Sequence, residues 1–414
     1  MELHDLDNFF RLSARLNYQL NSAVLDEDAI INTLLGDAKF DDTSREVLKE
    51  GMGYLVAAYK KKRRRLGPVA VIHPLRATAL LARASGRPSL LDLLTEFFHD
   101  KLEDTCERDY DSETWKDLER RFNSLIQGID PTDEWYLMDR LDHLTRREGD
   151  ETYYAYIGRL LKHAKLTPEL VRVKLADRLD NTLDMRISAK DPLEGVDFFE
   201  NIFQLLFVRN YTGYHPEKQH PPKASFNGAR RMYELFKNII TLSLVRQTKA
   251  ASQDAVARRL VSGICTASMR EVERIVTHIF GYHITDIATK RRIVQEARDY
   301  CYSGGVHEVT RPNPSNRLDG LLMERFDNKD PKKRAQCLDE LYGDKELMVE
   351  AALTFLVIFM SFLNDPDFYL KGISADGIYA TEKREAPSSA PGAAPGAAPG
   401  TGDSQDGDAT TAEE

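Results

Sequence analysis

Two distant segments of the chain put ionisable side chains where the surrounding pattern is apolar. The first is His99-Asp100-Lys101-Leu102-Glu103-Asp104, which directly follows Thr95-Glu96-Phe97-Phe98. On a continuous helix His99 pairs with Glu103 and Asp100 with Asp104 at i,i+4, so one turn presents an imidazole and three carboxylates. The second is Asp177 in VKLADRL, where an acid interrupts apolar residues. Such groups are costly near a core unless they are paired or bind a metal. Taken singly, each has an ordinary explanation: an acidic helix end bridged to lysines, an aspartate paired with Arg178, a histidine in a core. Together with His73, which opens an earlier helix as His73-Pro74, they supply His73, His99, Asp100 and Asp177. That mixed imidazole–carboxylate set suits a divalent Mn, Fe or Zn ion with open positions for water and substrate.

The elements that must position these residues read as helices, and the expected fold class is all-α. Apolar residues recur at helical spacing through 25–60 and through the stretch that begins at Pro74. Ser89 is a suitable cap for a helix LLDLLTEFFHDKLEDT, apolar in its first half and acidic in its second. Further helices are expected over 112–127 and 132–146. Thr167-Pro168-Glu169 reads as a start signal, a capping hydroxyl followed by a first-turn proline, for the helix that carries VRVKLADRLDNTLDM. Past 190 the pattern stays helical, broken by polar loops at 210–225 and 303–316. No β patterning or internal repeat is evident.

Composition bounds the rest. The chain has 414 residues, 42% hydrophobic and 30% charged, with room for two or three domains. A net charge of -9 argues against wholesale nucleic-acid binding. Cys106, Cys265, Cys301 and Cys337 form no CxxC pair, so the default setting is reducing and cytoplasmic. The acidic N-terminus lacks the pattern of a signal peptide. The apolar run from Ala351 to Leu363 is shorter than the ~20 residues that span a bilayer, so a buried core helix is expected and no membrane partner. From Ala386 the Ala/Pro/Gly-rich, finally acidic sequence has too little apolar surface to fold. Within this acidic chain, Lys60 to Arg65 are six consecutive cations that look like an anion-binding patch, though Lys60 to Arg63 read as a solvated basic run.

The order H…HDxxED…KLADRLxN resembles the HD-superfamily hydrolase domain of the RelA/SpoT alarmone family. The likeness covers about 45–190. It divides the chain into an N-terminal helical segment (1–44), the HD domain (45–190), a further helical region (191–382) and a disordered tail (383–414). The resemblance implies that His73, His99, Asp100 and Asp177 hold a manganese ion. It implies that Glu103 and Asp104 activate or steer the attacking water, and that Asn181 lines the nucleotide site. Arg64-Arg65-Leu66-Gly67 stands at the family's spacing before His73-Pro74, which gives Arg64 and Arg65 contact with a guanine nucleotide. Asp180, Ala70 and Asp184 replace residues common in the family at positions that shape its nucleotide pocket, leaving the metal site untouched.

The activity so implied is removal of the 3'-pyrophosphate from a guanosine polyphosphate. A phosphohydrolase acting on another nucleotide keeps the same metal site. A third reading is a non-catalytic module that senses an alarmone and engages a protein partner, or another copy of the chain, through 191–382. In that region no synthetase segment is recognisable. His215, His220, His278, His283 and His307 read as packing or surface residues, and Tyr153, Tyr154 and Tyr156 as core more than pocket.

Overall fold

The computed structural model describes residues 3–64, 69–147, 151–185, 227–313 and 315–379, and the fold is all-α. The helices are α1 (Leu6–Leu20), α2 (Glu27–Leu35), α3 (Asp42–Ala58), α4 (Ile72–Ser85), α5 (Leu90–Phe98), the single turn α6 (Lys101–Asp104), α7 (Ser112–Gln127), α8 (Pro131–Leu144), α9 (Tyr153–His163) and α10 (Glu169–Asp184). After the undescribed stretch come α11 (Gly228–Gln247), α12 (Ala255–Tyr282), α13 (Ile287–Tyr302), the turn α14 (Gly305–Glu308), α15 (Pro331–Gly343) and α16 (Lys345–Asn364). A two-stranded antiparallel hairpin pairs Ile373 with Ile378 and Ser374 with Gly377.

Side-chain caps fix most helix starts. Asp26, Asp41, Asp111, Asn227 and Asp286 each accept an N–H of the first turn, as does Ser89 at the head of α5. The start of α10 differs from expectation: it follows Pro168 with no side-chain cap bond, so Thr167 is not a capping hydroxyl. The expected loop at 303–316 is interrupted by α14. The expected loop at 210–225 and the tail lie outside the described residues.

One apolar core joins α1–α5 to α7 and α8 through Leu16, Ile30, Met52, Leu75, Phe98, Phe122 and Leu141. A second joins α9 and α10 to the later helices through Ile157, Leu175, Leu179, Ile239, Ile264 and Phe355. Helix α10 packs against α4 and also against α12, so it lies where the two cores meet. It is buried nearly all round and still carries Asp177, Arg178, Asp180 and Asp184. Buried charges persist only when paired, and each of these is. Helix α16 is long and apolar enough to cross a membrane by composition, but most of it is buried in the fold.

Candidate metal centre

The site forms where three helices present their charged residues to one another: the first turn of α4, the end of α5 and the middle of α10. Helix α5 does not continue through His99-Asp100 as the helical pattern suggests. It ends at Phe98, whose ring is packed into the first core, and restarts as α6. Asp100 has φ -98 and ψ 3 and accepts the N–H groups of Glu103 and Asp104 at 3.1 and 2.7 Å. The interruption replaces the expected i,i+4 side-chain ladder and puts Asp100 beside His73.

Four donor atoms converge there. Nε2 of His73 is 3.2 Å from Nε2 of His99, 3.4 Å from Oδ2 of Asp100 and 3.3 Å from Oδ1 of Asp177. Nε2 of His99 is 3.1 Å from Oδ2 of Asp100 and 3.8 Å from Oδ1 of Asp177. Neighbouring donors around a first-row ion, each bonded at about 2.0–2.2 Å, are separated by roughly 3–3.5 Å. The separations and the donor types therefore fit a divalent cation. The other ring nitrogens also fit. Nδ1 of His73 lies 2.6 Å from Oδ2 of Asp180, and Nδ1 of His99 lies 2.7 Å from the carbonyl oxygen of Glu96. With both acceptors engaged at Nδ1–H, Nε2 is in each ring the nitrogen left to face the centre, as ligation of a metal would require.

Electrostatics favour a cation at this point. Burial and the charge of Arg64 act against protonation of His73, yet hydrogen bonds to Asp100, Asp177 and Asp180 hold its pKa well above the usual range. For His99, burial is outweighed by Asp100 and by the charges of Glu96 and Asp177, and the pKa rises to about 9. Asp100 is held well below the carboxylate range, against burial, by the two imidazoles. Asp177 is also depressed, against burial, by Lys174 and the same imidazoles. Its Oδ2 accepts from Nζ of Lys174 at 2.8 Å and its Oδ1 from Nδ2 of Asn181 at 2.5 Å.

His73, Asp100 and Asp177 line an open cleft of about 370 Å³, with His99 behind them. Glu103 and Asp104 stand on its wall. Oε1 of Glu103 accepts the backbone N–H of Arg146 at 2.5 Å, and Oδ2 of Asp104 accepts the Tyr59 hydroxyl at 3.0 Å. Both side chains are open to the cleft. Surrounding protein and then the charge of Asp100 nevertheless push both carboxyls up, opposed at Glu103 by the Arg146 N–H.

Of the expected nucleotide contacts, Asn181 and Arg64 line this cleft, whereas Arg65 lies outside the described residues. Arg64 is already engaged: it donates to Oδ1 of Asn181 at 2.9 Å and pairs with Asp184 at 2.9 Å. Asp180 departs from expectation. It is fully buried and does not line the open cleft; it touches His73, so this position supports the His/Asp cluster. Asp180 also accepts Nε and a terminal nitrogen of Arg76 at 2.8 and 3.0 Å, while Arg76 reaches Asp184 at 2.6 Å. Ala70 does line the cleft.

Several cleft residues have no sequence signal that would have singled them out. Arg146, Lys174, Arg178 and Lys237 ring the opening, and Arg63 joins them from the basic run. Lys237 belongs to α11, so the region beyond 190 helps build the wall. Tyr153 and Tyr156 also line the cleft, while Tyr154 is buried against Phe236, so the tyrosine cluster divides between pocket and core. No protein-family model, no characterised protein and no solved structure matches this chain.

Proposed function

We propose that the chain is a metal-dependent phosphohydrolase acting on a phosphorylated nucleotide. The observation that carries this reading is the convergence of His73, His99 and Asp177, with Asp100 beside both imidazoles, at a cleft ringed by cations. Those four residues would hold the ion, with manganese the first choice on the resemblance. A divalent ion at such a place supplies Lewis acidity, acidifying water and offsetting charge that develops on phosphoryl oxygens.

The chain's own residues supply the rest. Glu103 has one oxygen fixed by the Arg146 N–H, which leaves the other to take a proton from water. Its raised pKa makes it a stronger base than an ordinary surface glutamate. Asp104, held by Tyr59, is placed to orient that water or to return a proton to the leaving group. Arg146 and Lys237 would bind phosphate oxygens, while Lys174 and Arg178, held by Asp177 and by Asn238 and Glu234, add positive charge to the wall.

Within that class, the resemblance favours a guanosine polyphosphate that loses its 3'-pyrophosphate. Another phosphorylated nucleotide is the second reading, favoured by one observation: Arg64, the expected base contact, is tied to Asp184 and Asn181. The test joins metal analysis of the purified chain with a Mn2+-dependent turnover assay on a 3'-pyrophosphorylated guanine nucleotide and a panel of other nucleotides. Asp100→Ala is expected to abolish turnover with the helical CD spectrum intact. Full activity in that variant would refute the metal assignment, and tight binding without turnover in the metal-loaded wild type would favour a sensor.

A further inference from the structure

A second concavity, of about 430 Å³, opens where α1 meets the C-terminal ends of α2 and α4. Its wall carries Arg11, Arg15 and Arg83, with the amides of Asn8 and Asn32 and the hydroxyl of Thr33. Arg83 belongs to the last turn of α4 and His73 to the first. About 15 Å of helix therefore separates this place from the metal cluster, at 1.5 Å per residue.

The arginines here lack the carboxylate partners that hold several buried arginines of the fold. Elsewhere in the fold Arg76, Arg140, Arg172 and Arg317 each pair with carboxylates. Among the described residues no carboxylate pairs with Arg11, Arg15 or Arg83. Arg11 and Arg15 are one turn apart on α1, an i,i+4 pair of like charges that repel each other. Arg83 is half-buried, and burial pulls its pKa down. A partly desolvated guanidinium without a counter-ion is costly. Among the described residues on the wall Asp37 is the one acid, so the surface keeps an excess of positive charge.

We propose that this concavity binds a small molecule bearing more than one phosphate group, at a site separate from the metal cleft. Three guanidinium forks offer planar, paired N–H donors that match phosphate oxygens. The volume falls in the range of small-molecule sites, about 300–1,000 Å³, and exceeds what a single inorganic ion needs. An anion seated between Arg11 and Arg15 also removes their mutual repulsion and supplies Arg83 with its missing counter-ion.

The experiment is calorimetric titration of the full chain, freed of metal, with inorganic pyrophosphate. The wild type is expected to take up pyrophosphate here and at the cationic metal cleft. The double variant Arg11→Ala/Arg15→Ala changes only exposed side chains and should keep its CD spectrum and melting temperature. It should lose one equivalent of binding, or bind it at least tenfold more weakly, and Arg83→Met should do the same. Arg146→Ala/Lys237→Ala, in the metal cleft, should leave that equivalent in place. A double variant that binds pyrophosphate with wild-type stoichiometry and affinity overturns the proposal, whether or not the metal cleft proves to be catalytic.

Discussion

Nδ1 of His73 lies 2.6 Å from Oδ2 of Asp180, although 107 positions separate them in the chain. The contact joins the first turn of α4 to α10 and dictates which nitrogen of the imidazole faces the metal cluster. A carboxylate at this position raises the basicity of the ring as well as orienting it. Asp180 is itself held by the Arg76 guanidinium, so the ring's orientation depends on a buried ion pair.

Replacing Asp180 with Asn keeps the shape and an acceptor oxygen but removes the charge. Loss of such a partner typically weakens metal binding by about 10- to 100-fold, and that range is the expected drop in Mn2+ affinity for Asp180→Asn. Equilibrium dialysis against Mn2+ measures it. Asp184→Asn touches Arg76 and Arg64 but not His73, and should alter the affinity far less. Equal losses in the two variants would mean that the His73 contact carries no special weight.

Arg76 is fully buried between Asp180 and Asp184, with its guanidinium 4.9 Å from the centre of the Phe9 ring. Its removal leaves buried Asp180 with the His73 ring alone and Asp184 with Arg64 alone. Breaking a buried pair in this way costs about 3–5 kcal/mol. Arg76→Ala should therefore lower the stability seen in urea denaturation by that amount. A loss below about 1 kcal/mol, the level of a surface ion pair, would show that water reaches the network.

His278 gives a pH dependence away from the metal cluster. On α12 its ring lies against Tyr282 and against His283 just past the helix end, and burial, followed by the charges of His283, Lys345, Arg274 and Arg231, pulls its pKa down to about 3. In the unfolded chain an imidazole titrates near 6.5. Above that value the ring is neutral in both states and contributes no pH dependence. As pH falls from about 6.5 toward about 3, the unfolded chain takes up a proton that the folded one refuses, so stability declines. His278→Leu should flatten the fall in urea midpoint between pH 6 and pH 4 relative to the wild type. An unchanged slope would assign the acid sensitivity to other groups.

The parts of this fold that were legible in the sequence are those set by local pattern. Ser89 marks the head of α5 because a short hydroxyl side chain can reach a first-turn N–H, and Asp177 stands out because an acid among apolar residues needs a partner. The break at His99-Asp100 was not legible, since helical periodicity runs straight through it and only the burial of Phe97 and Phe98 in three dimensions decides where α5 ends. Asp180 was legible as unusual but not as a partner of His73, because nothing local specifies a contact made across 107 positions. Arg146 and Lys237 reach the cleft through tertiary packing alone. Arg64 came to the cleft as its spacing suggested, yet its partner Asp184 arises from the docking of α4 on α10.

Lys237 provides a test of what the region beyond residue 190 contributes to the cleft. It extends from α11 into the same opening as Glu103 and Asp177, with Nζ 2.8 Å from Glu234 and 5.3 Å from the centre of the Tyr233 ring. If the proposed function holds, an ammonium on the cleft wall would serve to bind phosphate oxygens, acting equally in the ground and transition states. Loss of one charge-assisted contact, about 1.5 kcal/mol, should then appear in KM alone, as a roughly tenfold rise for a polyphosphorylated substrate with kcat little changed. Lys237→Arg should recover most of the affinity, because a guanidinium binds phosphate as readily. A Lys237→Ala variant with wild-type KM would mean that α11 closes the cleft without touching the substrate. A drop in kcat with unchanged KM would instead place the ammonium at the reacting phosphate.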